Sequence, residues 1–102
     1  MLKQVSAVWE FITCDEREAE LLIDQCNGSR VRFHAYSKHN TDCSNPHWHI
    51  AFLFYRPMPL SQINRFIDFG RSYPQPIKGP WVNYFNYLQS KGEVVTNYQI
   101  KI

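Results

Sequence analysis

The sequence has few cysteines, little excess charge of either sign and no long apolar run. Its three cysteines, Cys14, Cys26 and Cys43, show no C-x-x-C spacing, which argues against a disulfide framework and fits a reducing compartment rather than secretion. The N-terminal stretch MLKQVSAVWEF is too short and too polar for a signal peptide, and no segment approaches the length of a membrane span. The formal net charge of +2 indicates no strongly basic surface, so nucleic-acid binding must rest on local groups.

The composition predicts one folded domain over residues 1–102. Hydrophobic residues make up 44% of the chain and aromatic residues 16%, which is enough for a core. Charged residues make up 20%, a proportion that argues against extended disorder. The length suits a single domain, and the sequence contains no internal repeat.

Three segments have the composition of β-strands. They are residues 5–13 (VSAVWEFIT), 31–38 (VRFHAYSK) and 47–55 (HWHIAFLFY), all rich in β-branched and aromatic residues. The polar loop HNTDCSNP joins the last two, which predicts an antiparallel hairpin. Residues 73–78 contain prolines and are predicted as a short edge strand, and residues 93–102 as a final strand.

Three helices are predicted between these strands. Thr13 and Glu16 form a T-x-x-E capping box before a helix that runs to about residue 25. Ser61 is predicted to cap a second helix that ends at Gly70, and a third lies between Gly-Pro at 79–80 and Lys-Gly at 91–92. The order β-α-β-β-α-(β)-α-β predicts an α+β fold, with one antiparallel sheet of about five strands and helices packed mainly on one face.

The most informative stretch is HWHIAFLFY, which begins at His47. Side chains alternate along a strand, so Trp48 and the phenylalanines share an apolar face that belongs under the helices. His47 and His49 point together to the opposite face, close enough to bind one metal ion. A histidine pair needs a further ligand. If the hairpin loop is centred near Cys43, His39 lies opposite His47, and Ser37 lies opposite His49.

The identity of the third ligand is left open by the sequence. His39 is the first candidate, and Asp42 and Glu10 are alternatives. Cys43 with the histidines would make a zinc site. His34 points to the opposite face of the predicted strand from His39, and it is interpreted as a structural or surface residue.

The predicted third helix carries two rows of side chains. Trp81, Phe85 and Leu88 recur at i, i+4 and i+7 and form a buried stripe. Tyr84, Tyr87 and Lys91 form a second row with polar ends. A lysine beside a tyrosine favours formation of the phenolate and can stabilise charge on a phosphate. The alternative is that the tyrosines only pack and the lysine is solvated.

Together, VWEFIT, HWHIAF and NYLQSKGEVV resemble the three motifs of the HUH endonucleases, the rolling-circle replication initiators (Rep proteins) of small single-stranded DNA viruses, plasmids and phages. The resemblance covers nearly the whole chain. The SKGEVV tail is most similar to circovirus-type Reps, whereas the Tyr-x-x-x-Lys spacing is more similar to parvoviral initiators. Viral Reps usually place Glu or Gln as the third ligand, where this chain offers His39.

The resemblance implies a metal-dependent nickase and ligase acting on a single-stranded DNA origin. Mg²⁺ or Mn²⁺ would bind His47, His49 and His39, Tyr87 would attack the phosphate and become linked to its 5′ end, and Lys91 would stabilise charge. Tyr84 is the second candidate nucleophile, although its position favours packing. Candidate DNA contacts are Arg30, Arg32, Tyr36, Lys38, Lys3 and Lys101.

The expected setting follows from the same resemblance. No P-loop is present, so a helicase would be a downstream domain or another protein, with host replication proteins as further partners and no membrane. A eukaryotic viral Rep would act in the host nucleus, and a bacterial one in the cytoplasm. One rival interpretation is a non-catalytic RRM-like module that binds single-stranded nucleic acid. Another is a domain in which metal only stabilises the fold.

Overall fold

A computed structural model of the protein describes residues 5–39 and 47–98. Within these residues the chain forms five strands and three helices in the order β1 (Val5–Thr13), α1 (Glu16–Asp24), β2 (Val31–His39), β3 (His47–Pro59), α2 (Leu60–Phe66), β4 (Tyr73–Pro76), α3 (Trp81–Ser90) and β5 (Val95–Thr96). None of the helices in the described ranges is long and apolar enough to cross a membrane.

The strands form one antiparallel sheet in the order β4-β1-β3-β2-β5. The predicted α+β fold and its five-stranded sheet are therefore confirmed. β3 is the longest strand and lies at the centre, paired with β1 on one side and β2 on the other. The proline-containing strand β4 lies at an edge, where its missing N–H groups cost no ladder hydrogen bond.

Side chains along the central strands point alternately to the two faces of the sheet, and a separate hydrophobic cluster forms on each face. On one face, Ile50, Phe52 and Phe54 pack with residues of α1 and α2, including Leu22 and Ile63. Two of the three helices thus share one face, as predicted.

The third helix packs on the opposite face of the sheet. Ala35 and Ala51 lie opposite each other in the β2–β3 register, and both are fully buried. The side chains of Trp81, Phe85 and Leu88 of α3 pack with them and complete this second cluster. The histidine-bearing face is therefore partly covered by a helix, whereas the helices were predicted to pack mainly on the other face.

The predicted start of α1 and both predicted ends of α2 were wrong, whereas α1 ends at Asp24, within one residue of the prediction. Asp15 caps α1 by accepting a hydrogen bond from the Arg17 N–H, so the Thr13–Glu16 capping box does not form. The Thr13 hydroxyl instead accepts from the Asp15 N–H and donates to Glu18. The T-x-x-E pattern does not predict this arrangement, because it leaves out the Asp15 carboxylate. That carboxylate is better placed to accept a hydrogen bond from the first turn of the helix.

The second helix begins one residue before the predicted cap and ends early. Pro59 occupies the N-cap position without a side-chain hydrogen bond, and the helix ends at Phe66 rather than Gly70. β3 continues to Pro59, beyond the predicted end at Tyr55. The final strand is only Val95–Thr96, and the predicted residues 99–102 lie outside the described part of the chain.

Candidate metal centre

Three histidines meet where β2 ends and β3 begins. His39 pairs with His47, and Ser37 pairs with His49, which confirms the predicted register. One ligand nitrogen from each of His39, His47 and His49 lies within 4.8 Å of the other two. The ring centroids are 4.2 Å apart for His39 and His49 and 4.9 Å apart for His47 and His49. Such a group can hold one metal ion.

His39 has the properties of a metal ligand. Its Nε2 is buried and has no hydrogen-bond partner among residues 5–39 and 47–98. Burial lowers the pKa of His39, and the neighbouring His49, His47 and Lys91 side chains lower it further, whereas the Glu10 carboxylate opposes them. These effects favour the neutral ring, and a neutral imidazole offers a nitrogen lone pair to a metal. The residues present fit a metal ion.

Glu10 lies behind the histidines and contacts one of them. Its Oε2 is 2.9 Å from Nδ1 of His49, and the same oxygen accepts a hydrogen bond from the Tyr84 hydroxyl. Glu10 is buried, on strand β1 beside β3. Of the three proposed third ligands, His39 joins the histidine group and Glu10 supports His49, while Asp42, like Cys43, lies outside the described residues.

The two tyrosines of α3 have different surroundings. Tyr84 is buried in the α3-side cluster, and burial together with the neighbouring Glu10 carboxylate raises its pKa far above the ordinary value. Tyr87 is 51% exposed, and its ring centroid is 6.2 Å from that of Tyr84. The Lys91 Nζ lies 5.7 Å from the centroid of the Tyr87 ring. Tyr87 and Lys91 thus form an accessible pair, and the Lys91 charge is one of the groups that lower the pKa of His39.

Most of the predicted DNA contacts lie away from the histidines. The Lys38 ammonium lies over Trp48, the Arg30 guanidinium lies 3.6 Å from the centroid of Phe66, and Tyr36 packs against the α1–α2 cluster.

Of the remaining candidates, Arg32 is exposed and two others lie in the undescribed ends. The Arg32 guanidinium lies 5.2 Å from the centroid of Phe33, whose ring packs against the α3-side cluster. Lys3 and Lys101 are outside the described residues. His34, interpreted as structural or surface, is buried and stacked with Tyr36 at a centroid distance of 6.3 Å.

The contact between Glu10 and Tyr84 was not predicted from the sequence. Glu10 and Tyr84 are separated by 74 positions, and no spacing rule joins a strand residue to a helix residue so far along the chain. Their contact depends on α3 packing over the His49 side of the sheet. The sequence indicated only that Glu10, two residues after Val8 on the same strand, points to the same face of the sheet. The structure shows that Val8 packs with α3 on that face.

Comparison with models of known protein families and with curated proteins found no match to this chain.

Proposed function

We propose that this protein is a metal-dependent HUH endonuclease that nicks and rejoins single-stranded DNA to initiate rolling-circle replication. The observation that supports the proposal is a three-histidine group on the face of the sheet that α3 covers, together with an exposed tyrosine–lysine pair at the end of α3 whose lysine charge acts on His39. A group that can bind metal and an accessible nucleophile with an adjacent cation are the parts that phosphoryl transfer to tyrosine requires.

In the proposed reaction the Tyr87 oxygen attacks the scissile phosphorus. The P–O3′ bond breaks, the 3′ oxygen takes a proton from water, and the phenol proton passes to solvent. The product is a 5′-phosphotyrosine and a free 3′-hydroxyl, and rejoining is the reverse. Lys91 stabilises negative charge on the phenolate and the phosphate. A divalent ion held by His39, His47 and His49 would supply polarisation of a non-bridging phosphate oxygen.

The donor set bears on which metal would be used. Mg²⁺ prefers oxygen ligands and keeps several waters, whereas Mn²⁺ accepts imidazole nitrogen more readily. Three histidines therefore favour Mn²⁺ over Mg²⁺, although both were expected from the resemblance.

The proposed partner is the single-stranded origin, with a helicase domain or host replication proteins acting on the product. The reaction would take place in the nucleus for a eukaryotic virus and otherwise in the cytoplasm.

The test is a search for the covalent protein–DNA product. The protein is incubated with single-stranded oligonucleotide pools, including hairpin origins, with Mn²⁺, Mg²⁺ or EDTA, and separated on a denaturing gel. A shifted band is expected with Mn²⁺, weaker with Mg²⁺ and absent with EDTA. Tyr87→Phe should abolish it, because Tyr87 is the exposed tyrosine that contacts Lys91 in the described part of the chain.

Tyr84→Phe is the matched variant on the same helix. It should retain an adduct, reduced rather than lost, because its hydroxyl is buried and already donates to Glu10. Loss of the adduct in Tyr84→Phe alone would move the nucleophile to Tyr84. The absence of any adduct across linear and hairpin pools would reject the nickase.

The alternative is a non-catalytic RRM-like module. The succession β1-α1-β2-β3-α2-β4 supports it, because that is the element order of the RRM. The α3-side cluster weighs against it, since Phe33 and Leu53 pack with α3 rather than standing free for stacked bases. Metal-independent DNA binding without an adduct would favour this alternative.

A further inference from the structure

We propose that Tyr84 and Glu10 are positioning residues that aim His49 at the metal and tie the tyrosine-bearing helix to it. The inference rests on the metal site of the proposed function but not on the nicking reaction. It assigns Tyr84 a role that is neither nucleophile nor packing alone.

The geometry is a chain of two hydrogen bonds through one carboxylate oxygen. Oε2 of Glu10 meets Nδ1 of His49 at 2.9 Å and accepts the proton of the Tyr84 hydroxyl. The side chains of His49 and Glu10 are 12% and 7% exposed, and Tyr84 is buried. Water therefore has little access to compete for these bonds, which makes each of them stronger than a surface contact.

This pair of hydrogen bonds determines which nitrogen of His49 can bind metal. With Nδ1 donating to the carboxylate, the lone pair of the neutral ring lies on Nε2. Carboxylates placed behind a ligating histidine fix its ring orientation and raise its basicity. Glu10 itself is held against Nδ1 rather than released toward the metal, because Tyr84 donates to the same oxygen.

The same two hydrogen bonds also connect three separate elements of secondary structure. Glu10 is on β1, His49 is on β3 and Tyr84 is on α3. Tyr87 follows Tyr84 by one helical turn, so a bond that fixes Tyr84 also limits where Tyr87 can lie. The nucleophile helix is thus held relative to a ligand of the metal that the reaction needs.

The test measures metal affinity without DNA. Free Mn²⁺ is titrated by electron paramagnetic resonance against the wild-type protein, Tyr84→Phe and Glu10→Gln. Tyr84→Phe keeps the ring and removes only the hydroxyl, and we expect Mn²⁺ binding about 10- to 100-fold weaker. Glu10→Gln should weaken binding by a similar factor, because a neutral amide oxygen accepts from Nδ1 less strongly than the charged carboxylate does.

Two further variants show whether the effect passes through Glu10. Tyr55→Phe makes the same chemical change at a side chain that is 69% exposed near the far end of β3, and its Mn²⁺ affinity should equal that of the wild type. The double variant Tyr84→Phe/Glu10→Gln should bind like Glu10→Gln alone, since residues acting in one chain are not additive.

The outcomes separate this inference from the proposed function. Wild-type Mn²⁺ affinity in Tyr84→Phe, with or without a loss of thermal stability, would reduce Tyr84 to packing and overturn the inference alone. A wild-type protein that binds no Mn²⁺ would overturn the metal site and everything built on it. A protein that binds Mn²⁺ with the expected variant effects but forms no DNA adduct would leave the inference standing and reject the nickase.

Discussion

His34 is a buried ionisable side chain outside the candidate metal centre. Burial lowers its pKa, and a hydrogen bond with the backbone of Cys26 opposes part of that shift. Its Nδ1 has no hydrogen-bond partner in the described part of the chain. The folded protein therefore favours the neutral ring, whereas the unfolded chain titrates near its ordinary pKa of about 6.5.

The stability of the metal-free protein should depend on pH through His34. Because the folded pKa is lowered, the unfolded chain binds more protons, and stability is complete above about pH 6.5 and is lost as the pH falls. One such histidine contributes a slope of at most about 1.4 kcal/mol per pH unit. Urea unfolding in EDTA between pH 5 and 7.5 measures the slope, which His34→Gln should reduce. Parallel curves for the two proteins would contradict the prediction.

At the scale of the elements, helix α1 depends on one capping side chain. The Asp15 carboxylate accepts from the Arg17 N–H at 2.8 Å, and Glu16 and Glu18 add negative charge in the first turn. The Asp15 carboxylate satisfies one of the free N–H donors of the first turn, and the acidic side chains interact favourably with the positive end of the helix dipole. α1 in turn places Ala19 and Leu22 against the sheet.

Removing this cap should destabilise the fold measurably. Asp15→Ala is expected to lower the free energy of unfolding by about 1 kcal/mol, the usual cost of losing an N-cap. Glu20→Ala is the matched control, because Glu20 is exposed within the same helix and its change should stay within about 0.5 kcal/mol. Urea denaturation compares the two. An equal effect of both variants would show that helix charge, not the cap, sets the stability of α1.

At the scale of the whole molecule, the histidines join the ends of two central strands. His39 ends β2, and His47 and His49 begin β3. A metal ion bound by all three would bind the folded chain and not the unfolded one, where these residues are dispersed. Binding of that kind shifts the unfolding equilibrium by mass action.

Metal should therefore raise the thermal midpoint of the protein. At a free Mn²⁺ concentration 100 times the dissociation constant, the stabilisation is about 2.7 kcal/mol. For a domain of this size that corresponds to a rise of roughly 10–20 °C. Differential scanning fluorimetry with Mn²⁺ and with EDTA measures it, and the variant His47→Ala/His49→Ala should show no rise.

The same experiment separates a purely structural metal from a catalytic one. A metal-induced rise in the midpoint, combined with no DNA adduct in any oligonucleotide pool, would support a domain that metal only stabilises. An unchanged midpoint in wild-type protein under saturating Mn²⁺ would contradict linkage between the histidines and the fold.

The residues predicted most successfully are those whose placement depends on near neighbours. Alternation in β3 put His47 and His49 on one face, and the length of the hairpin connection put His39 opposite His47. The i, i+4, i+7 stripe of Trp81, Phe85 and Leu88 is buried as the periodicity indicates. Strand alternation and helical repeat are backbone properties, so a short stretch of sequence determines them.

Helix ends were predicted less well for an equally physical reason. Ser61 matched a capping pattern, yet the chain enters α2 directly from β3 at Pro59. Whether a side chain caps a helix depends on the direction from which the chain arrives. That direction is set by how β3 and α2 pack against the same cluster.

By itself, the sequence determined the α+β class, the strands that carry the histidines and the buried stripe of the third helix, because each depends on local periodicity. Only the tertiary structure decided that α3 covers the face of Ala35 and Ala51, that Tyr87 is exposed while Tyr84 is buried, and that Glu10 joins Tyr84 to His49. These are contacts between residues far apart in the chain, and they form only when close packing selects one arrangement of sheet and helices.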